Sequence, residues 1–290
     1  MCYFSDEERR RSMYGRLEKE EIDHIAKAFF HRALKLQIGC GAEPTLSRHL
    51  PHLIRKGKEA GIPYISITTN GGLLTYNVLK EYVEAGLDEI TLSCHGIKKE
   101  TYEYFMQGGR YEHFVDLLKN IALLKKEYAT LNVRINYTMN EDNVAELKYL
   151  PELLDGIPIN IMQIRPIQEI GKSDYNNFNV LGIYSVYNRI LEPLRLYCQT
   201  NGIICIMPDK ENLIELHDTT NAADQYIENL LYCNISPQSW WHGDFDRKTD
   251  TFESYCKRHR WTANILAHII HPTKSSTRNE VTKKMNYTIN

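Results

Sequence analysis

The sequence predicts an α/β fold built on a parallel sheet, and three observations carry that prediction. Short apolar runs alternate with longer amphipathic segments through the first 200 residues. In one such segment Phe114, Leu117, Leu118, Ile121 and Leu124 recur at the spacing of a single helical face. Glycines at 61, 86 and 156 stand where helices end, as helix C-termini favour. Strands alternating with helices make βαβ units, whose strands lie parallel.

The elements follow in order. Residues 19–33 read as a helix and 34–38 as the first strand. Residues 46–60 form the next helix and 64–68 the second strand. A helix over 75–85 leads to a strand over 89–93, and a helix over 111–128 to a strand over 133–138. Residues 143–154 are helical and 159–165 form the fifth strand. Beyond Gly171 the pattern weakens to a helix over 180–198 and a sixth strand over 203–207. The organisation expected is a barrel-like unit over 1–200, an irregular C-terminal extension over 201–262, and a partly disordered tail over 263–290.

Charge and composition exclude several functions. Lys and Arg number 35 against 37 Asp and Glu, so no broad positive field attracts nucleic acid or anionic lipid. No apolar stretch is long enough to span a membrane, and MCYFSDEERRR is no secretory signal, so a cytoplasmic location is expected. The seven cysteines include no CxxC pair. Cys233 and Cys256, with His242 and His259 nearby, read either as an auxiliary metal site or as buried thiols. Trp240 and Trp241 are expected to cover the mouth of the barrel. Gly171-Lys172-Ser173 is not a P-loop, because Pro166 stands where a Walker A glycine is needed.

In parallel α/β sheets the site lies at the carboxyl ends of the strands. The first strand is followed by Gly39-Cys40-Gly41-Ala42-Glu43-Pro44, where Pro44 replaces the third glycine of a dinucleotide fingerprint. Glu43 is either a turn cap or a contact for an ammonium ion. Thr68-Thr69-Asn70-Gly71 follows the second strand as a turn, or as a turn lining a pocket. Ser93-Cys94-His95-Gly96 ends the third; adjacent residues on a strand face opposite ways, which argues against a Cys94–His95 nucleophile pair. Asn136 and Arg165 lie within or at the end of later apolar runs and need partners if buried.

Together these loops resemble the radical S-adenosylmethionine (SAM) superfamily, over about residues 2–170. Gly41-Ala42-Glu43-Pro44 is similar to its Gly-Gly-Glu-Pro motif, with Ala42 for the second glycine. Thr69-Asn70-Gly71 is similar to its Thr-Asn-Gly turn. Ser93-Cys94-His95-Gly96 resembles Ser-x-Asp-Gly, with His95 in the Asp position. The resemblance implies a partial (β/α)6 barrel of parallel strands, here lacking its first strand. It implies that Gly41, Ala42, Glu43, Pro44, Thr69, Asn70, Ser93, Asn136 and Arg165 contact S-adenosylmethionine. It also implies a [4Fe-4S] cluster on a Cys-x3-Cys-x2-Cys loop, an electron donor such as flavodoxin or ferredoxin, and a 5′-deoxyadenosyl radical that attacks an unspecified substrate.

Cys2, followed by Tyr3 and Phe4, fits the third cysteine of that loop, and only Met1 precedes it. One thiolate does not hold the cluster, so the resemblance implies a chain inactive in radical chemistry as written. The alternative is a cluster-free module binding SAM or a nucleoside. A start codon placed at an internal Met is the expected cause. The codons upstream should then encode an apolar strand and two cysteines, and they should cover the exposed edge at 34–38.

Overall fold

The computed structural model describes residues 11, 14–39, 41–167, 175–213 and 232–270. Cys2, Cys40, Gly171-Lys172-Ser173 and the tail from Pro272 lie outside the described residues. Six strands form one sheet in the order of the chain: β1 (Lys35–Ile38), β2 (Tyr64–Thr69), β3 (Glu89–Ser93), β4 (Asn132–Met139), β5 (Ile161–Pro166) and β6 (Ile204–Ile206). Every neighbouring pair is parallel. The sheet is open, and β1 and β6 are its edges among the described residues. Each expected strand is present to within two residues at either end.

The helices joining them are α1 (Lys19–Phe29), α2 (Leu50–Glu59), α3 (Tyr76–Glu84), α4 (Lys99–Phe105), α5 (Tyr111–Glu127), a short α6 (Leu150–Leu153) and α7 (Leu181–Thr200). Local chemistry sets their limits. Pro51 fixes the start of α2, so the helix begins at Leu50 rather than at 46 as expected, and residues 44–46 make a separate 3-10 turn. Pro151 similarly opens α6 after a 3-10 stretch at Val144–Tyr149, which divides the helix expected at 143–154. Thr75 caps α3 by accepting the Val78 N–H at 3.4 Å. Gly61, Gly86 and Gly156 all have positive φ just past helix ends, as the sequence suggested.

Side chains alternate across a strand, and here the alternation divides two chemistries. Leu36, Ile65, Ile67, Ile90, Leu92, Val133, Ile135, Met162 and Ile164 share the face that carries the helices. Gly57 of α2 sits so close to that face that an added Cβ would meet Ile65 Cδ1 at 2.6 Å. The opposite face presents Ser66, Glu89, Thr91, Ser93, Arg134, Asn136 and Gln163, in the register of the pairing. Its centre is a buried ion pair. Arg134 donates to Glu89 Oε2 at 3.0 Å, Tyr64 and Thr91 also donate to that carboxylate, and Arg134 reaches Gln163 at 3.2 Å.

The C-terminal part adds α8 (Phe252–Arg258) and α9 (Trp261–Ile270), which extends into the stretch expected as tail. Trp241 stacks on Phe252 at 4.9 Å and meets Phe29 of α1 edge-on at 5.9 Å. The expected cover over the strand ends is therefore instead an aromatic cluster on α1, where Phe29 offers an apolar surface. His242 and His259 each stack on Tyr255, at 5.3 and 4.3 Å. No helix among the described residues is long and apolar enough to cross a membrane.

Candidate functional site

The carboxyl ends of β1 and β2 are joined through Glu43. Its Oε1 accepts the Thr45 N–H at 3.1 Å, the Thr45 hydroxyl at 2.6 Å and the Thr69 hydroxyl at 2.7 Å. Its Oε2 accepts the Asn70 N–H at 2.9 Å. Glu43 thus caps its own 3-10 turn and grips the next loop, leaving acceptor capacity on Oε2. The two loops approach closely: at Gly39, with φ +85°, a Cβ would lie 2.5 Å from the Thr68 carbonyl oxygen. Gly41 and Ala42 are exposed, and Pro44 is half-buried.

Thr69 is buried at 2% exposure and falls on the same side as Ile65 and Ile67. Its hydroxyl donates to Glu43 and accepts the Gly71 N–H at 3.0 Å. The structure therefore gives Thr69 a bracing place within the loop. Asn70 is exposed, and its Oδ1 accepts the Gly72 N–H at 2.8 Å, closing the turn expected there.

Ser93, Asn136 and Gln163 make one rung across β3, β4 and β5, and Thr138 and Arg165 make the next. Ser93 is half-buried. Asn136 is only 8% exposed, and its Oδ1 is buried without a hydrogen-bond partner. Arg165 is exposed and donates from Nε to the Thr138 hydroxyl at 3.3 Å. The sheet thus brings Ser93, Asn136 and Arg165 together, while Glu43, Thr69 and Asn70 meet through hydrogen bonds.

His95 continues the face of Ser93, and Cys94 is buried on the other side, as the alternation argument required. Burial pushes the Cys94 thiol up to about 12, which removes it as a nucleophile at neutral pH. The His95 Nδ1 accepts the Thr138 N–H at 3.0 Å. Burial, with the charge of Arg165, holds the imidazole down to about 3. His95 is therefore neutral with its proton on Nε2, a donor standing where the resembling motif has an acidic acceptor.

Three bracing residues escaped the sequence reading. Asn143 donates to the His95 and Thr138 carbonyls, both at 3.0 Å. Glu146 accepts the Ile97 and Lys98 N–H groups and the Thr101 hydroxyl, at 3.0, 3.1 and 2.6 Å. Glu89 anchors Arg134 from 45 residues away. The cluster Asn140-Glu141-Asp142-Asn143 was the one local signal available, as a turn.

Among the described residues, no group of three or more His, Cys, Asp or Glu side chains is placed to hold a metal ion. Cys233 and Cys256 are free, and burial pushes the Cys233 thiol up to about 12.

Comparison with known proteins places this geometry. Residues 1–154 match the family profile described as Radical SAM superfamily. A protein named "Probable GTP 3',8-cyclase" from Saccharolobus islandicus is 28% identical over 173 residues, 59% of this chain and 54% of that protein. A second of that name, from Sulfurisphaera tokodaii, is 24% identical over 91% of this chain and 74% of its own length. The chain spans about half the length of the Saccharolobus relatives it matches. Among solved structures, Streptococcus suis SuiB bound to S-adenosylmethionine aligns with a TM-score of 0.52 at 14% identity, over 76% of this chain and 49% of that one. The structure described as native anSMEcpe with bound AdoMet aligns equally well, at 16% identity, over 76% and 59%. At such identities the likeness is one of fold, and that fold is a partial barrel of parallel strands. With the profile covering more than half of the sequence, the chain belongs to the radical SAM superfamily, a family that uses S-adenosylmethionine and a [4Fe-4S] cluster.

Proposed function

We propose that this chain binds S-adenosylmethionine on the polar face of its sheet, at the carboxyl ends of β1 to β5. One observation carries the reading: Asn136 Oδ1, a buried acceptor with no partner, in the rung beside Ser93. A bare buried acceptor costs about 1–3 kcal/mol, which an N–H of the cofactor would recover. The free acceptor capacity of Glu43 Oε2 suits the cofactor's ammonium, and Gly41, Ala42 and Pro44 flank it with backbone. Arg165 supplies positive charge for a carboxylate, and the Ser93 hydroxyl a further polar contact.

Asn136→Leu separates this role from a structural one. No partner is lost in the free protein, so its melting temperature should not fall. Affinity for S-adenosylmethionine should drop by roughly fivefold, the equivalent of about 1 kcal/mol for one hydrogen bond. Titration calorimetry decides; equal affinities would remove Asn136 from the site. The similarity to proteins named GTP 3',8-cyclase supports GTP as the first co-ligand to add to that titration.

In the family the cluster supplies the electron that cleaves the cofactor. The described residues do not fit such a cluster, since no three ligands converge among them. Cys2 is the one ligand that the resemblance assigns. The function we assign to the described residues is therefore cofactor binding. Anaerobic reconstitution followed by iron and sulfide analysis should give well under one cluster per chain. A stoichiometric [4Fe-4S] absorption band would overturn that expectation.

A further inference from the structure

Three sulfur atoms converge on the helix-bearing side of the sheet, where α7 covers its last two strands. Cys198 lies in the last turn of α7, fully buried, with Sγ 3.5 Å from Met162 Sδ of β5. Met162 pairs in register with Cys205 of β6. The connection between helix and strand is tight. The Ile203 N–H donates to the Cys198 carbonyl at 2.9 Å, and Gly202 takes φ +66° to allow the reversal. This fold-back and the β5–β6 register set Cys205 beside Met162, in the same sulfur cluster as Cys198. Both are free, but Cys198 is buried whereas Cys205 is only half-buried and so within reach of solvent.

The pair is chemically asymmetric as well. The neighbouring Cys198 thiol, followed by the positive charge of Arg195, outweighs burial and holds Cys205 below the usual thiol range. The neighbouring Cys205 thiol, together with burial, holds Cys198 far above that range. Cys205 is therefore the more acidic sulfur of the two, and thiolate is the nucleophilic form. A reachable thiolate backed by a second, protected thiol is the arrangement that converts a mixed disulfide into an internal one. Neither cysteine faces the polar side of the sheet, so the cofactor reading uses neither.

We propose that Cys205 and Cys198 form a thiol–disulfide exchange pair, with Cys205 attacking small-molecule disulfides and Cys198 resolving the adduct. The Cys205 thiolate attacks one sulfur of glutathione disulfide. A mixed disulfide forms, and glutathione thiolate leaves and takes up a proton. Cys198 then gives up its proton and attacks the Cys205 sulfur. The Cys198–Cys205 bond forms and a second glutathione departs. Two protein thiols are oxidised, and one disulfide is reduced to two thiols. The cross-link ties the last turn of α7 to β6, an edge strand that pairs with β5 at only three positions.

The test is to incubate the full chain with glutathione disulfide, quench with acid, alkylate, and map the cysteines by peptide mass spectrometry. The expected product joins Cys198 and Cys205 in a species lighter by two hydrogens and free of glutathione. In Cys198→Ser the adduct on Cys205 should persist, because nothing resolves it. In Cys205→Ser, Cys198 should stay unmodified in the folded chain. A lasting glutathione adduct on wild-type Cys205 would overturn the proposal. So would modification of Cys198 in Cys205→Ser, or an inert Cys205 under conditions that modify the unfolded chain.

Discussion

Replacing Arg134 with alanine is expected to destabilise the folded chain by about 3–5 kcal/mol, because it leaves the Glu89 carboxylate buried without its cation. Glu89 is 2% exposed, so water cannot take over the role. The melting temperature should fall by roughly 10 °C. Adding Glu89→Gln to that variant should recover much of the loss, since no charge is then left buried. The pH dependence gives an independent check. Burial alone would raise the Glu89 carboxyl, but its hydrogen bonds from Arg134 and Tyr64 outweigh this and hold it below the usual carboxylate range. Its contribution in the wild type is thus present at neutral pH and lost as pH falls through that depressed value. In Arg134→Ala the unpaired carboxyl titrates upward instead, so that variant should gain stability between about pH 7 and pH 5. Urea midpoints at the two pH values measure this. A loss below about 1 kcal/mol, or a pH response of the wild-type sign, would show that the pair is not what holds the polar face.

Glu43→Ala is expected to act twice. Four donors lose their acceptor, two of them on the neighbouring loop. Hydrogen bonds to a charged group contribute about 1.5–3 kcal/mol each and are not additive, so a stability loss of about 2–3 kcal/mol is expected. On the proposed reading, affinity for S-adenosylmethionine should fall at least tenfold, because the loop assigned to the cofactor is no longer fixed. Denaturant unfolding and calorimetry on one preparation read the two effects separately. Unchanged stability would mean that the bridge between the loops carries no weight.

The strands were legible because their pattern is local. The β-branched run of β2 and the alternation of β4 announce themselves within a few residues, and glycine marks the helix ends. Helix starts were less legible: Pro51 and Pro151 each reset the backbone inside a pattern that the apolar spacing alone would continue. Within the site, the ends of the strands could be located, and Asn136 and Arg165 could be singled out as polar residues in apolar company. The hydrogen bonding could not. Glu43 reaches Asn70 across 27 residues, and Asn143 reaches His95 across 48. Such partners are fixed by the order of strands in the sheet, and no window of sequence contains both. Thr69 is the instructive case. Its type and place suit a ligand contact, but strand parity turns it toward the helix layer, where Glu43 engages it.

The carboxylate and amide bridges also bear on how proteins of this architecture can diverge. A loop that folds on its own can lengthen, shorten or exchange residues without consulting its neighbour. Here the segments after β1 and β2 share one carboxylate, and those after β3 and β4 share Asn143 and Glu146. Inheritance therefore acts on them two at a time. An insertion near Glu43 displaces the acceptor that Asn70 needs, and a deletion near Asn143 releases the backbone around His95. Substitutions should survive in matched sets drawn from both members of a couple. Novelty can enter one residue at a time only on the rungs of the polar face, where a side chain changes without moving the backbone beside it.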